Sequence, residues 1–261
     1  MHERDGIAWW LEGAVGRVEM RRPERANSLA RPAAHALAAA FDAVLAATPK
    51  VVLITAQGPI FCAGGDIEEF RSAGDALPTL VDDILEPLHP ALLRLATAPL
   101  PVVSAVGGAV GGAGVGLALC ADFVLASRSM KLRTGYAAIG LSPDVGSSYF
   151  LARRIGTQRA KQWLMLSEPV DASTCLAAGA VDALHDDAAL PAAAAALTQR
   201  LAAGARDSLA GIKQLCDGLP GRDLASHLAM EHERLRMCAQ GADAREGVAA
   251  FLAKRAPSFA P

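Results

Sequence analysis

The chain has 261 residues and a formal net charge of −2, so nothing in its charge asks for nucleic acid or an anionic membrane. That length buries a sizeable core and suits one large domain, or one domain with an appendage. Its five cysteines, Cys62, Cys120, Cys175, Cys216 and Cys238, are odd in number and far apart, a pattern of reduced cytoplasmic thiols and not of a disulfide framework or a metal site.

The N-terminal Met1-His-Glu-Arg-Asp-Gly6 is polar and runs into Ile7-Ala-Trp-Trp-Leu11 without a basic region or a small-residue cleavage pattern. It reads as a strand, not as a signal segment. Short apolar runs predict strands over 7–11, 15–20, 51–55, 102–106 and 123–126, and helical spacing covers 32–47 and 78–95. This alternation suggests an α/β fold. From about Pro191 the chain becomes alanine-rich, with five alanines from Ala192 and a charged stretch Glu231-His-Glu-Arg-Leu-Arg236, and by propensity it is helical.

The most informative stretch runs from Pro101 to Asp122: Pro-Val-Val-Ser-Ala-Val-Gly-Gly-Ala-Val-Gly-Gly-Ala-Gly-Val-Gly-Leu-Ala-Leu-Cys-Ala-Asp. A strand turns there through glycines into a small-residue helix near Gly112, whose first N–H groups have no internal partner and face a site for negative charge. No residue from Leu95 to Ala121 is charged, long enough for a membrane span of about 20 residues, but Pro99, Pro101 and the glycines argue against one. The G-x-G-x-x-G spacing of a dinucleotide loop is absent. An oxyanion hole and close helix packing remain open.

A second turn has the same character. Phe61-Cys-Ala-Gly-Gly-Asp66 follows the strand over 51–55 and leads into a helix near Asp66, an acid suited to a helix N-terminus. Two such turns offer the paired N–H donors that an enolate or thioester oxyanion needs.

Together with Arg22-Pro-Glu-Arg-Ala-Asn-Ser-Leu29, these motifs resemble the crotonase superfamily, the enoyl-CoA hydratase/isomerase family, in order and without large gaps from about Val18 to the C-terminus. The resemblance implies a spiral of ββα turns over residues 1–190, carrying the thioester site, and a C-terminal helical region over 191–261 that serves as trimerisation region and lid. It also implies a homotrimer or hexamer acting on acyl-CoA in fatty-acid metabolism. Coenzyme A would then be part of the substrate, with no permanently bound cofactor, metal, nucleic acid or membrane partner.

The family's hydratases carry two glutamates, since adding water across a double bond needs a positioned acid and base. By position in the motifs, Gly116 and Tyr136 stand in their places, so hydration is not expected. Asp144, in Gly140-Leu-Ser-Pro-Asp-Val-Gly-Ser-Ser148, matches the single acid of enoyl-CoA isomerases, a match that continues through Leu151-Ala-Arg-Arg-Ile-Gly156. Taken alone, Asp144 reads equally as a turn or N-cap residue.

The resemblance further places the oxyanion hole at the N–H groups of Gly65 and Ala113, and the acyl pocket at Tyr136 and Leu141. It puts coenzyme A beside Arg25, Ala26, Ala63, Asp66 and Ile67, with Phe251 and Lys254 closing over the nucleotide. Alone, Arg25 and Lys254 read as surface cations and Phe251 as core. To act as both base and acid, Asp144 needs a raised pKa, expected from Ile139, Leu141 and Val145 around it.

Two other readings remain. A dehalogenase-like aryl-CoA enzyme has a nucleophilic aspartate matching Asp144 but a Trp where this chain has Tyr136, and a non-catalytic acyl-CoA-binding module needs no acid. His89, in Leu-His-Pro, reads as a structural histidine at a helix start. The remaining histidines, His2, His35, His185, His227 and His232, lack metal spacing, and Ser147 and Ser148 are not in a G-x-S-x-G elbow.

Overall fold

The computed structural model describes residues 1–259, so the last two positions of the 191–261 region lie outside it. Strands β1 (His2–Arg4), β2 (Ile7–Glu12) and β3 (Val15–Met20) form an antiparallel meander. Helix α1 (Arg31–Ala46), begun with a proline in its first turn, returns the chain to β4 (Val51–Ala56), which lies parallel to β3.

From β4 the chain repeats one unit three times. The first turn is β4, β5 (Ile60–Cys62) and helices α2 (Ile67–Ala73) and α3 (Leu77–Thr97). The second is β6 (Val102–Val106), β7 (Ala109–Gly111) and α4 (Ala113–Leu119). The third is β8 (Phe123–Ser127), β9 (Lys131–Arg133) and helices α5 (Ser147–Ile155) and α6 (Thr157–Leu166). Each turn places its first strand in a seven-stranded sheet, ordered β1-β2-β3-β4-β6-β8-β11, and its second in a four-stranded sheet, ordered β10-β9-β7-β5. Strands β10 (Val170–Asp171) and β11 (Ala183–His185), with α7 (Ala172–Ala178) between them, complete the edges. This is the expected ββα spiral.

Side-chain alternation explains why β4 reads as an unbroken apolar run. Val52 and Ile54 join the main core with α1 and α3, while Val51 and Leu53 join a second core beneath α8 (Leu190–Ala202). A strand covered on both faces has no polar side to show. The alanine run from Ala192 lies in α8, where Leu190 and Ala194 are buried against the larger sheet.

Helix α3 presents Leu80, Ile84, Leu88, Ala91, Leu92 and Leu95 as its buried stripe and packs on α1. It continues through Pro87 and Pro90, which corrects one expectation: His89 lies in the helix interior, not at its start. A proline weakens a helix by removing one backbone donor, and tertiary packing of this stripe overrides that loss.

The chain ends in α9 (Arg206–Asp217), α10 (Leu224–Gln240) and α11 (Ala242–Leu252). Lys213 on α9, itself buried, reaches the Leu100 carbonyl at 3.1 Å and the Asp122 carboxylate at 2.8 Å, which fastens that helix to the spiral. In contrast α10 buries no residue, and α11 packs against α10.

Candidate active site

The Arg22–Leu29 segment and the Phe61–Asp66 turn are stitched together by backbone and side-chain bonds. Ala63 donates to the Ala26 carbonyl at 3.1 Å and Leu29 to that of Gly64 at 2.8 Å. The buried Asn27 side chain donates to the carbonyls of Gln57 and Ile60 and accepts from the Arg22 N–H. Arg25, Ala26, Ala63, Gly65, Asp66 and Ile67 therefore share one locality.

Asp66 is the N-cap of α2. Its Oδ1 accepts from the N–H groups of Glu68 and Glu69, and its Oδ2 accepts from Ser28 Oγ at 2.9 Å and from Arg25 at 3.2 Å. Burial alone would push its carboxyl up, but the Ser28, Glu69 and Arg25 donors more than offset this and hold it below the ordinary carboxylate range. Both oxygens are thus engaged in holding the turn. Ala63 and Ile67 are exposed beside it.

Helix α4 closes on this turn because its residues are small. A methyl group at Gly64 would lie 3.0 Å from the Gly111 carbonyl and 3.2 Å from the Ala113 nitrogen, and one at Gly114 would lie 2.4 Å from the Cys62 carbonyl. Glycine allows the two turns to meet backbone to backbone. The N–H groups of Gly65 and Ala113 donate to no protein acceptor among the described residues.

Asp144 approaches the same helix from the other side. Tyr136 Oη donates to Asp144 Oδ1 at 2.6 Å and lies 2.9 Å from Ser147 Oγ. Ser147 Oγ in turn accepts the Gly116 N–H at 3.1 Å and reaches the Gly112 carbonyl at 3.3 Å. A chain of close polar contacts therefore runs from the Asp144 carboxyl to the residue preceding Ala113. The loop backbone itself presses on α4: a methyl group at Gly116 would sit 1.9 Å from the Val145 carbonyl oxygen. Val145 holds a φ of +46°, a conformation a β-branched residue rarely adopts.

Burial pushes the Asp144 carboxyl above the ordinary carboxylate range, opposed chiefly by the Tyr136 hydrogen bond. Burial and the nearby Asp144 charge push the Tyr136 phenol up, so Tyr136 stays a donor. The source of this burial differs in part from the sequence expectation, because Ile139 is exposed, Leu141 is half-buried and Val145 is enclosed. Asp144 is not a helix cap either; Gly146 occupies the N-cap of α5.

The buried thiols of Cys62, Cys120 and Cys175 are each pushed up to about 12 by burial, which leaves them neutral and unreactive. A cavity of about 780 Å³ opens beside the Asp144 loop, bordered by His89 and Gly146 and running between α3, α5 and α9.

Of the residues expected to contact substrate, the chain brings together those of the Arg25–Ile67 locality, with Ala113 packed against it at Gly64, and, farther along α4, Tyr136 and Asp144. Phe251 and Lys254 are exposed at the end of α11, with no bond to either group among the described residues. Sequence reasoning missed three features: the Tyr136 hydroxyl as the partner of Asp144, Ser147 as the link to α4, and His89 as the acceptor of the Val145 N–H.

The chain matches the family model described as enoyl-CoA hydratase/isomerase over residues 11–261. It is 34% identical, over 97% of each chain, to a Rhodobacter capsulatus protein described as "Probable enoyl-CoA hydratase". It is 35% identical to 1,2-epoxyphenylacetyl-CoA isomerase of Escherichia coli, covering 95% of this chain and 96% of that one. Among solved structures, an enoyl-CoA hydratase from Polaromonas sp. JS666 superposes with a TM-score of 0.90 at 32% identity, covering 97% of this chain and 99% of the other.

Proposed function

The chain belongs to the enoyl-CoA hydratase/isomerase family, and we propose that within it this protein is an acyl-CoA isomerase that shifts a double bond by proton transfer through Asp144. The observation that carries this reading is the contact of Gly116 with the Val145 carbonyl. Gly116 is where the resemblance places a hydratase's first glutamate, and the Asp144 loop fills that space with backbone. Tyr136, at the second glutamate position, donates to Asp144. The remaining acid chemistry rests on one carboxyl, enough for isomerisation but not for hydration by paired acids.

The reaction follows from these parts. The thioester carbonyl oxygen of a 3-enoyl-CoA lies between the N–H groups of Gly65 and Ala113, which stabilise the dienolate formed when a proton leaves C2. Ionised Asp144 takes that proton and returns it at C4, leaving the double bond between C2 and C3. A raised carboxyl pKa suits a group that must both accept and release a proton. Coenzyme A supplies binding energy remote from this step. Arg25, Ala26, Ala63 and Ile67 line its nucleotide side, with Asp66 contributing through the backbone it holds, while Leu141 and Tyr136 face the acyl group.

Leu224, Leu228 and Leu235 on α10 and Phe251 and Leu252 on α11 are exposed, which supports a homotrimer or hexamer in which Phe251 and Lys254 close over a nucleotide. Among the described residues no helix is long and apolar enough to cross a membrane.

The test is proton exchange and double-bond migration on a panel of 3-enoyl and 2-enoyl thioesters of coenzyme A, comparing the parent with Asp144→Ala. Migration that disappears in the variant supports the isomerase. Binding without exchange in the parent makes the chain an acyl-CoA-binding module, and undiminished migration in the variant reduces Asp144 to a turn residue.

A further inference from the structure

We infer that His89 is a positioning residue that holds the strained backbone of Val145 and, through it, the orientation of the Asp144 carboxyl. The inference rests on the isomerase reading for its consequence in turnover, but its geometric part stands independently.

The Val145 N–H donates to His89 Nε2 at 3.1 Å. Val145 combines a left-handed φ of +46° with a β-branched side chain that is fully enclosed in the core. Such a conformation persists only where surrounding contacts over-determine it. On one side the Val145 carbonyl lies against Gly116, and Ser147 donates to the Asp144 carbonyl at 2.8 Å. On the other side His89 supplies the acceptor for the Val145 N–H, and a backbone donor away from water needs one. The ring comes from the interior of α3, a rigid element whose buried stripe anchors it to α1.

An acceptor at Nε2 requires a lone pair there, so the ring is neutral with its proton on Nδ1. Protonation at Nε2 would set one N–H against another and release Val145. Glu86 lies one helical turn earlier on α3, Tyr136 is bound to Asp144, and Tyr149 stands on α5. The other charges along the cavity are paired: Arg153 with Asp217, Arg154 with Asp182 and Lys213 with Asp122. The acceptor at Nε2 thus fixes the Val145 N–H, and with it the loop that carries Asp144.

The experiment compares the parent with His89→Ala and His89→Gln by two readouts: isomerisation of 3-enoyl-CoA thioesters across pH, and residue-resolved hydrogen exchange of the Val145 amide. His89→Ala is expected to lose Val145 protection and to lower kcat by about 10- to 100-fold, the usual effect of misplacing a reacting group, with KM changed much less. His89→Gln, whose amide oxygen accepts but does not titrate, should recover part of kcat.

Val145 protection equal to the parent's in His89→Ala overturns the inference whatever the turnover. So does protection lost without any change in kcat, or a His89→Gln variant that recovers neither protection nor kcat. If His89→Ala does not fold, His89→Leu, which fills the space without an acceptor, takes its place, and Val145 protection equal to the parent's in that variant overturns the inference. A parent without turnover on any thioester overturns the isomerase reading, and the exchange measurement still decides whether His89 holds the loop.

Discussion

Asp66 and Asp144 each precede a helix beside the small-residue helix α4, and their surroundings drive their carboxyls in opposite directions. Asp66 accepts from two backbone N–H groups, a serine hydroxyl and an arginine, and is held below the ordinary carboxylate range. Asp144 receives one side-chain donor, from Tyr136, and burial raises it. The residue type is the same, and the supply of donors to the ionised form decides between a structural acid and one able to exchange protons. A fully satisfied carboxylate is a poor base, because taking up a proton would forfeit the bonds that hold its turn.

The largest effect is expected at Asp144. Asp144→Asn should reduce double-bond migration by roughly 10²–10⁴-fold, the usual share of general acid–base catalysis, as measured by single-turnover assays. The same variant should be more stable than the parent at pH 7 by thermal unfolding. With the folded pKa above the unfolded one, ionised Asp144 costs stability, and that cost begins as pH rises through the unfolded value near 4. The advantage of Asn should therefore vanish at lower pH.

Gly116→Ala should come next, since its methyl group would overlap the Val145 carbonyl and displace the Asp144 loop. Overpacking of this kind typically costs about 1–3 kcal/mol, readable by denaturant unfolding, and here it should take isomerase activity with it. Tyr136→Phe removes the donor to Asp144, a hydrogen bond to a charged group typically worth about 1.5–3 kcal/mol. The acid limb of its pH–rate profile should move up by about one to two units at the 1.36 kcal/mol per unit of such shifts. An unmoved limb would place the titrating group elsewhere.

Asp66→Ala should show the smallest effect and the opposite sign in stability. Losing an N-cap costs about 0.5–2 kcal/mol. Because the Asp66 carboxyl is depressed in the folded protein, its contribution is present above the unfolded pKa and is lost as pH falls through the folded value. Unfolding curves of Asp66→Ala and Asp144→Asn should therefore deviate from the parent in opposite directions at neutral pH, and both deviations should shrink in acid.

Much of this architecture was legible in the sequence where burial is two-sided. The runs over 51–55 and 102–106 are continuous because helices cover both faces of those strands. Strands β5, β7 and β9, three residues each, were not readable, being too short for any period and partly embedded in the glycine motifs. At the site, the Asp66 cap followed from an acid set before a helix. The pairing of Tyr136 with Asp144 did not, since it depends on how 137–143 turns, and a glycine at position 116 does not announce what occupies the space beside it. His89 reads from the sequence as a structural histidine at a helix start, yet its place within the helical pattern over 78–95 was the available clue.

The contact between Gly116 and Val145 also bears on how such a site can change over generations. A side chain at 116 and this course of the backbone at 145 exclude each other, so the two positions are epistatic. A carboxylate arriving at 116 would first meet the Val145 carbonyl, and one lost at 144 would leave the loop still in place. Passage to a two-acid site therefore runs through an intermediate that has neither arrangement intact, and this constraint is written in the main chain, where a comparison of side chains alone would not find it.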